Sequence, residues 1–396
     1  MPTQIAKSIK QDGTGDYTTI AGFAAAITAN LVTADEYWTG TINDSNTYTE
    51  NVSFTGVTAD ATRSVTLQAG SGQTPTVAGS SIAVWCNIQY MKVLGVTMKG
   101  TANLSQACRL NQPGVVIQDC VLTGSSTNIT GIQIRSASVT VRRCVFHTTA
   151  FGVGWNTGGD DCIVENCLIR NITSHGIDLA LSTMNGTLLY HNTIVVTGTS
   201  NGIIVRNIST PVNIIKNNII QCANGHCISL GPVSSAAGIT SDNNRFYVTG
   251  TGHIASISTT NYTTLADWQG ATVHDDNSAS GAPQWTNPAG GDYTLTGVDP
   301  GETGLGVTDD ITGATRDATP DRGCYERFEL TDSFTMSGGA TLGGGATVTM
   351  ALTMAMAGGI ILGGAAEFSH IIGGGSTWKR TGIRDAMRSG IASGVG

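Results

Sequence analysis

A repeat of about 25 residues runs through the middle of the chain and constrains its fold more than any other feature. Aligning six short segments of similar design places three Cys and then three Asn in one column, with successive spacings of 24, 23, 25, 26 and 26 residues. The members of this column are Cys120, Cys144, Cys167, Asn192, Asn218 and Asn244. A near-constant period of this length is typical of a solenoid, in which each repeat forms one coil.

Two further columns of the repeat are apolar and predict a continuous core. Three positions before the Cys/Asn column stand Ile117, Val141, Val164, Leu189 and Ile215. Two positions after it stand Leu122, Phe146, Ile169, Ile194, Ile220 and Phe246. A second segment, which begins at Gly131, Gly152, Gly176 and Gly202, adds another short strand to each coil. Stacked Asn residues tolerate left-handed backbone geometry and can bond to their equivalents in adjacent coils.

The composition agrees with short strands joined by turns. Charged residues are only 12% of the chain, hydrophobic residues are 40%, and glycine supplies 52 positions. This profile excludes a disordered chain, and the abundance of Thr, Val and Ile favours strands over helices. The net charge of −8 argues against nucleic-acid binding. Nine scattered cysteines fit reduced, buried thiols better than a disulfide framework.

The columns and their Asn ladder resemble the right-handed parallel β-helix superfamily, which includes pectate lyases, pectin methylesterases and phage tailspikes. GDYTTIAGFAAAI, from Gly15, resembles the short helix that covers the open end of such domains. NPAGGDYTLTGVDPG, from Asn287, and DRGCYER, from Asp321, resemble their closing segments. The resemblance spans residues 10 to 327 and implies an all-β parallel β-helix. It indicates little about function, because this scaffold hosts many activities.

The C-terminal tail has a different pattern, an alternation of period two that indicates strands. For this reason the uncharged stretch 348–366 is not predicted to span a membrane. Isolated strands would leave unpaired edges, and the tail resembles phage-fibre segments in which three chains wind together. We therefore expect a homotrimer; the alternatives are an extra β-layer on the β-helix of a monomer and a mobile linker. The trimer-interface candidates are Phe334, Met336, Leu342, Val348, Met350, Leu352, Met354, Ile360 and Leu362.

Four regions follow from these patterns. Residues 1–80 form a cap and the first coils, and residues 81–327 form the β-helix body with its closing segment. Residues 328–369 form a β-structured stem rich in Gly, Thr and Met, which trimerises. Residues 370–396 form a basic tip, whose charges either meet an acidic partner or keep a cap solvated; the second interpretation is favoured.

One charged cluster could carry chemistry. Asp160, Asp161 and Glu165 are candidate catalytic carboxylates, because hydrolysis of a glycoside needs two carboxyl groups close together. Stacking predicts that Arg142 lies over Glu165 and that Tyr190 and Lys216 follow in the same column. The carbohydrate-binding candidates are therefore Arg142, Arg143, Glu165, Tyr190 and Lys216. The alternative, which is favoured, is an exposed strand surface whose charges pair across coils.

Two weaker sets complete the candidates. His175, Asp178 and His191 form a second polar set, for which an ordinary surface role is favoured. Cys222 and Cys227 flank His226 in a weak metal-binding pattern, although a turn between coils is the simpler interpretation. No metal and no cofactor are predicted. Aromatic residues that could stack on sugars, some of which must be core, are Trp85, Trp155, Tyr190, Tyr247 and Trp268.

These observations favour a structural protein of a phage virion, assembled in the host cytoplasm. It would be a trimeric spike, fibre or capsid decoration that binds host-surface polysaccharide and contacts other virion proteins through one of its ends. A polysaccharide depolymerase of the tailspike kind, lyase or hydrolase, is the first alternative, and a bacterial surface adhesin is the second. Because no catalytic motif of the resembled enzymes can be placed, a structural role is favoured over an enzymatic one.

Overall fold

The computed structural model describes residues 1–125, 128–156, 159–179, 186–206, 213–231 and 238–327. Contacts divide the chain into two units, Met1–Met336 and Ser337–Gly396. The predicted stem, the basic tip and the nine trimer-interface candidates from Phe334 to Leu362 lie outside the described residues. Within them, short strands stack in parallel from coil to coil, which confirms the predicted β-helix. No helix in these ranges is long and apolar enough to cross a membrane.

Face A of the solenoid is a sheet of ten parallel strands within the described ranges. Each coil contributes one strand, and side chains alternate between the interior and the outside. The strands are Thr3–Ile9, Glu36–Ile42, Val65–Ala69, Lys92–Leu94, Val116–Gln118, Thr140–Arg142, Ile163–Glu165, Leu188–Tyr190, Asn213–Lys216 and Ile239–Asp242.

Face B follows face A in each coil, after a sharp bend. Two of its strands, Val145–Trp155 and Leu168–Leu179, are long and continue into the third face. The remaining strands of face B are Thr47–Tyr48, Thr76–Gly79, Thr97–Gly100, Val121–Gly124, Thr193–Val196, Ile219–Cys222, Arg245–Val248 and Ala279–Ser280.

Face C completes the coil and includes the second halves of the two long strands. At its C-terminal end the strand Thr260–Tyr262 pairs antiparallel with the last parallel strand. The other strands of face C are Val52–Phe54, Ile82–Cys86, Gln106–Leu110, Thr130–Ile134, Asn201–Val205, His226–Leu230 and His253–Ile257.

The aligned columns of the sequence are the strand registers of the structure. On face B, Leu122 pairs with Phe146, Phe146 with Ile169, and Ile194 with Ile220. All five side chains are fully buried in one continuous core. The predicted apolar columns are therefore confirmed residue by residue.

The Asn column forms the predicted ladder of hydrogen bonds. Asn218 Oδ1 accepts from the backbone N–H of Asn192 at 2.9 Å and from its Nδ2 at 3.0 Å. Asn244 Oδ1 accepts from the same two groups of Asn218, at 3.0 and 3.1 Å. All three amides are fully buried, so these bonds satisfy polar groups that water cannot reach.

The left-handed backbone conformation belongs to the residue before this column. Positive φ angles, between 51° and 57°, occur in the preceding position of six successive coils. The six residues are Asp119, Arg143, Asn166, His191, Asn217 and Asn243. The bend between faces A and B thus uses two adjacent positions, the first for the left-handed backbone turn and the second for the inward hydrogen bonds. The sequence pattern predicts both roles at the second position, and the left-handed turn there is wrong.

Short helices cover the two ends of the core. Helix α1, Ile20–Ala26, begins at the N-cap Thr19 and places Phe23 against the first coils, with its ring 6.3 Å from that of Phe54. Helix α2 is Leu31–Ala34 and helix α3 is Leu265–Thr272. Near the other end, Trp268 of α3 is fully buried and donates from Nε1 to Asp275 at 2.8 Å. The helical cap expected after Gly15 is confirmed.

The last described segment folds back along the solenoid as a closing strap, residues 299–327. It follows a 3-10 turn, Pro288–Gly290, that joins the antiparallel strands Trp285–Asn287 and Asp292–Leu295. Together they cover an apolar stripe on the outside of face B. The buried residues of this cluster are Leu168, Val195, Ile219, Trp285, Tyr293 and Cys324.

Candidate functional site

The predicted column of charged residues is present on face A, but acidic residues of the closing strap pair with its side chains. Arg142 pairs with Glu165, Glu165 with Tyr190, and Tyr190 with Lys216 in successive registers of face A, as expected. Asp309 of the strap accepts from Arg142 Nη2 at 2.9 Å and also from Arg143. The first three carbohydrate-binding candidates thus lie beside an acidic strap residue.

The other end of the column is occupied in the same way. Glu302 of the strap accepts from Lys216 Nζ at 2.8 Å, and Tyr190 is buried. Because these side chains are paired or buried, few of their polar groups remain to bind a sugar. Another outward surface of the solenoid therefore fits a glycan better.

The candidate catalytic carboxylates lie in different environments. Glu165 is half-buried, and Arg142 Nε lies 3.5 Å from its Oε1, so charges pair across coils as the favoured alternative expected. Burial is the main reason that the pKa of Glu165 is raised. Asp161 is exposed in a turn with a positive φ of 54°, and Asp160 is half-buried beside it. A catalytic role for the three stays a prediction.

The second polar set divides between two places. Arg206 donates from Nε and Nη2 to Asp178 at 3.1 and 3.2 Å, and from Nη2 to His175 Nε2 at 3.1 Å. His191 instead lies under the strap, where its Nδ1 is 3.0 Å from the carbonyl oxygen of Asp321. Asp178 and His191 are both buried. The surface role expected for His191 is therefore wrong, whereas Asp178 points outward and is covered in part by its ion pair with Arg206.

The cluster of Arg206, Asp178 and His175 belongs to an outward surface that the described strap contacts do not cover. We call this surface the face-C strip. Its side chains come from three columns that follow the solenoid axis along face C and the turn after it. The face-C strip comprises Trp85, Gln106, Arg109, Gln133, Arg135, Phe151, Gly154, His175, Asp178 and Arg206.

Guanidinium and amide groups line the first part of the strip. The Arg109 guanidinium carbon lies 5.8 Å from the centre of the Trp85 ring, within the range of a cation–π contact. Arg109 Nε donates to Gln106 at 2.7 Å, and Gln106 Nε2 donates to Gln133 at 3.0 Å. Arg135 Nε donates to the same Gln133 oxygen at 3.0 Å. These bonds hold the planar groups in place along the strip.

Glycine opens a gap in the middle of the strip. A Cβ atom at Gly154 would meet nothing within 4 Å, so the surface between Gln133 and Asp178 lacks a side chain. Beside the gap, the rings of Phe151 and His175 lie 5.6 Å apart at an angle of 58°. An aromatic wall next to an open backbone segment suits the flat face of a sugar ring.

The strip is basic, in contrast to the whole chain. The strip includes Arg109, Arg135 and Arg206 and one carboxylate, that of Asp178, which pairs with Arg206, whereas the chain carries a net charge of −8. Burial, and then the positive charge of Arg135, lower the pKa of Arg109. Two guanidinium groups are thus close enough to repel each other. An anionic ligand would relieve this repulsion.

His175 is held as a neutral imidazole. Burial is the first cause that lowers its pKa, and the charge of Arg206 acts in the same direction, against Asp178. Because Arg206 donates to Nε2, the proton of the neutral ring is on Nδ1, which is buried without a hydrogen-bond partner. Neither nitrogen therefore offers an accessible lone pair for general-base catalysis.

The sequence predicts a different glycan-binding surface, because its clearest charged column lies on face A. The sequence does contain a signal for the strip. Arg135 and Arg206 each come directly after a strand of face C whose second residue is Gly. Within the described residues, the closing strap contacts outward residues of faces A and B, and the face-C strip lies outside these contacts.

The thiols of the chain do not form a metal site. All nine cysteines are buried and none is in a disulfide, which confirms the predicted reduced state. Burial raises the pKa of Cys120, Cys144 and Cys227 well above the ordinary value, so these residues are protonated thiols. Within the ranges that the structure describes, no three His, Cys, Asp or Glu side chains converge on a metal position.

One solved structure shares the fold at low sequence identity, and two others align with lower TM-scores. A pectate lyase, Pel9A, matches with a TM-score of 0.53 at 12% identity, over 83% of this chain and 97% of that chain. An alginate lyase from Paenibacillus sp. str. FPU-7 covers 70% of this chain and 98% of its own, at 12% identity and a TM-score of 0.29. A pectin methylesterase from Aspergillus niger covers 68% and 98%, at 12% identity and a TM-score of 0.27.

No curated protein sequence matches the chain. A family model does match, over residues 91–297, which is just over half of the chain and contains most of the β-helix body. The resemblance to the right-handed parallel β-helix superfamily is thereby confirmed, and the chain belongs to the family described as periplasmic copper-binding protein (NosD).

Proposed function

We propose that this chain binds an acidic polysaccharide along the face-C strip, as a trimeric spike, fibre or capsid decoration of a phage virion. The observation that carries the binding proposal is the local charge. Three guanidinium groups and one carboxylate share an outward surface of a chain whose net charge is −8. A pectate lyase, whose name states that it acts on pectate, has the same fold and supports a polysaccharide ligand.

The geometry of the strip suits a polymer better than a small ligand. Successive coils stand about 4.8 Å apart, so the columns repeat their groups along the axis. Arg109 provides planar donors for carboxylates, and Trp85 and Phe151 provide apolar rings. We expect weak affinity at each site, and three copies in a trimer would strengthen it by avidity.

Copper chemistry plays no part in this proposal. The description of the matched family names copper binding. Among the described residues, no three His, Cys, Asp or Glu side chains converge on one position, and this arrangement does not fit a copper site. The imidazole pair His226 and His253 lies outside the strip and makes no contact that the polysaccharide proposal uses.

The trimeric virion role rests on the tail. Its alternation of apolar and small residues from Phe334 to Leu362 leaves strand edges that partner chains would cover. Its resemblance to phage-fibre segments supports a spike, fibre or decoration over an adhesin of a bacterial surface.

The binding proposal is tested by titrating the full chain with polygalacturonate, alginate and neutral dextran at low ionic strength. We expect binding to the two acidic polymers and none to dextran. Arg109→Ala should weaken binding by roughly tenfold, because one charge-assisted contact is lost at each strip. Lys92→Ala is the matched control, since it removes one positive charge from an exposed position on face A. Its binding should equal that of the wild type.

Two outcomes would contradict parts of the proposal. Equal weakening by Arg109→Ala and Lys92→Ala would show that net charge, rather than the strip, determines binding. Release of reducing ends or of unsaturated sugars during the titration would favour the depolymerase alternative over a binding protein.

A further inference from the structure

The outside of face B carries a column of basic residues that belongs neither to the face-C strip nor to the charged column of face A. Its members are partners in successive registers of parallel strands, and they are Lys99, Thr123, His147 and Arg170. Three of these side chains are basic and none is a carboxylate. Because neighbouring strands are about 4.8 Å apart, Arg170 and His147 can contact the same small ligand.

Arg170 differs from the other arginines of the solenoid because its charge has no counter-charge. Within the described residues, its guanidinium makes no hydrogen bond and no ion pair, and its Nε is buried. In contrast, Arg142, Arg206 and Arg245 each pair with a carboxylate. Burying part of a charge without a partner costs free energy. An anion at the exposed edge of the guanidinium would offset this cost.

The hairpin of strands Trp285–Asn287 and Asp292–Leu295 holds this guanidinium against face B. A Cβ atom at Gly291 would collide with Nη1 of Arg170 and would lie 3.3 Å from its Cζ, so glycine makes room for the guanidinium. Beside it, the rings of Tyr293 and Trp285 lie 5.0 Å apart at an angle of 90°. Nε1 of Trp285 is a second buried N–H group without an acceptor among the described residues.

The acidic groups near the hairpin are engaged elsewhere. Two carboxylates, those of Asp292 and Asp310, act electrostatically on Tyr325, as does Arg170. Asp292 accepts from the backbone N–H and the hydroxyl group of Thr294, at 3.0 and 2.6 Å. Asp310 is buried and accepts from the backbone N–H of Thr312 at 2.8 Å. In the part of the chain that the structure describes, neither carboxylate pairs with Arg170.

His147 supplies a second donor next to Arg170. Its Nδ1 is 3.3 Å from the hydroxyl oxygens of Thr123 and Thr148, and either hydroxyl can donate to it. The proton of the neutral ring is then on Nε2. Burial, and then the charge of Arg170, lower the pKa of His147, so the two side chains act on each other electrostatically. An anion that accepts from both would reduce this repulsion.

We propose that Arg170 and His147 bind a dianionic tetrahedral oxyanion, the phosphate group of a phosphate monoester, at the edge of the hairpin. The planar guanidinium matches pairs of phosphate oxygens. A dianion attracts two basic side chains more strongly than the single charge of a carboxylate does. Lys99, two coils away in the same column, adds to the positive field. The site uses none of the residues of the face-C strip and is independent of the polysaccharide proposal.

The proposal is tested by titrating the full chain with inorganic phosphate, sulfate and acetate in a calorimeter at constant ionic strength. We expect one phosphate or sulfate ion per chain and much weaker binding of acetate. Arg170→Ala should weaken phosphate binding roughly tenfold or more, and Arg170→Lys should weaken it less, because the charge remains and the planar fork is lost. Lys92→Ala, which removes an exposed positive charge from face A, is the matched control and should leave the affinity unchanged.

Phenyl phosphate and phenyl sulfate then present the two groups as monoesters. We expect phenyl phosphate to bind more tightly, because it is largely dianionic at neutral pH whereas the sulfate ester carries one charge. Equal binding of the two esters would overturn the assignment to a phosphate monoester.

Nuclear magnetic resonance of the wild-type imidazoles provides a second measurement, which decides the question if the Arg170 variants fail to fold. Sulfate should raise the pKa of His147, whose signal is assigned by its loss in His147→Ala, because a bound anion favours the imidazolium. The signal of His226, on face C, is the internal control. The proposal is overturned if sulfate leaves the titration of His147 unchanged, if folded Arg170→Ala binds phosphate as the wild type does, or if Lys92→Ala weakens binding equally.

Discussion

At the residue scale, the bend between faces A and B depends on two neighbouring positions with different tasks. The first adopts a positive φ, which Asn and Asp tolerate better than most residues. The second points inward and satisfies backbone groups of the adjacent coils. Asn218 is the clearest example, because its Nδ2 also donates to the carbonyl oxygen of Leu189 at 2.9 Å. Cys takes the same place in earlier coils, where the thiol of Cys167 donates to the carbonyl oxygen of Glu165 at 3.3 Å.

Removing one amide from the ladder should destabilise the β-helix. Asn218→Ala leaves the backbone N–H of Asn192 and the carbonyl group of Leu189 without their side-chain partner in the interior, at a cost of roughly 2–4 kcal/mol in the free energy of unfolding. Asn218→Cys is the matched control, since the chain itself uses Cys in this column, and it should cost less. Urea unfolding followed by circular dichroism measures both. Equal stability of Asn218→Ala and the wild type would contradict a structural role of the ladder.

At the scale of elements, buried arginines hold the closing strap, and Arg316 makes the most contacts. The five N–H groups of Arg316 make five hydrogen bonds. Its partners are the carbonyl oxygens of Asp309, Asp321 and Gly323, the side-chain oxygen of Asn166, and the carboxylate of Glu326. The bond to Asn166 joins the strap to the bend between faces A and B at 2.7 Å. Because the buried guanidinium of Arg316 is fully hydrogen-bonded, it determines the position of the strap. Its net contribution to the free energy of unfolding is small, since burying the charge is costly.

The carboxylate in this network should make stability depend on pH. Burial raises the pKa of Glu326 to about 7, and the attraction of Arg316 only partly opposes it. A raised pKa means that the stabilising contribution is fully present below the ordinary value near 4.5 and is lost as the pH rises through about 7. The loss is at most on the order of 3 kcal/mol.

Glu326→Gln tests this expectation because glutamine does not titrate. Thermal unfolding of both proteins from pH 4.5 to pH 8 should show a wild-type melting temperature that falls relative to the variant as the pH rises. The comparison between the two proteins cancels groups that do not interact with Glu326, such as His191 with its lowered pKa. Parallel pH profiles would contradict the raised pKa of Glu326.

At the scale of the whole molecule, the chain combines a solenoid with a tail of a different pattern. Every coil of a solenoid buries its core against its neighbours, so the body can be stable as a single chain. The alternation of the tail, in contrast, predicts strands that need partners. Oligomerisation is therefore expected to depend on the tail and to be dispensable for the fold of the body.

Truncation after Arg327 separates these two properties. We expect light scattering to report a trimer for the full chain and a monomer for residues 1–327. Circular dichroism of the truncated chain should retain the strand signal of the β-helix. A trimer that survives truncation would place the interface on the body, and a monomeric full chain would remove the trimer from the proposed function.

The sequence by itself determined the β-helix, its coil length and its interior. Columns such as Cys120 to Asn244 could be aligned because equivalent residues of successive coils share one environment, and a shared environment selects similar side chains. Outward residues share no such environment, and for this reason the face-C strip did not appear as a repeat.

Only the tertiary structure decided which outward surface is covered. The strap contacts join residues far apart in the chain, such as Arg316 and Asn166, and no local pattern encodes such a pairing. They assign the charged column of Arg142, Glu165 and Lys216 to ion pairs within the chain and leave the guanidinium groups of face C outward. The physical reason is that strand and core formation depend on local alternation and repeat, whereas the docking of a non-repeating segment depends on complementary charges that only folding brings together.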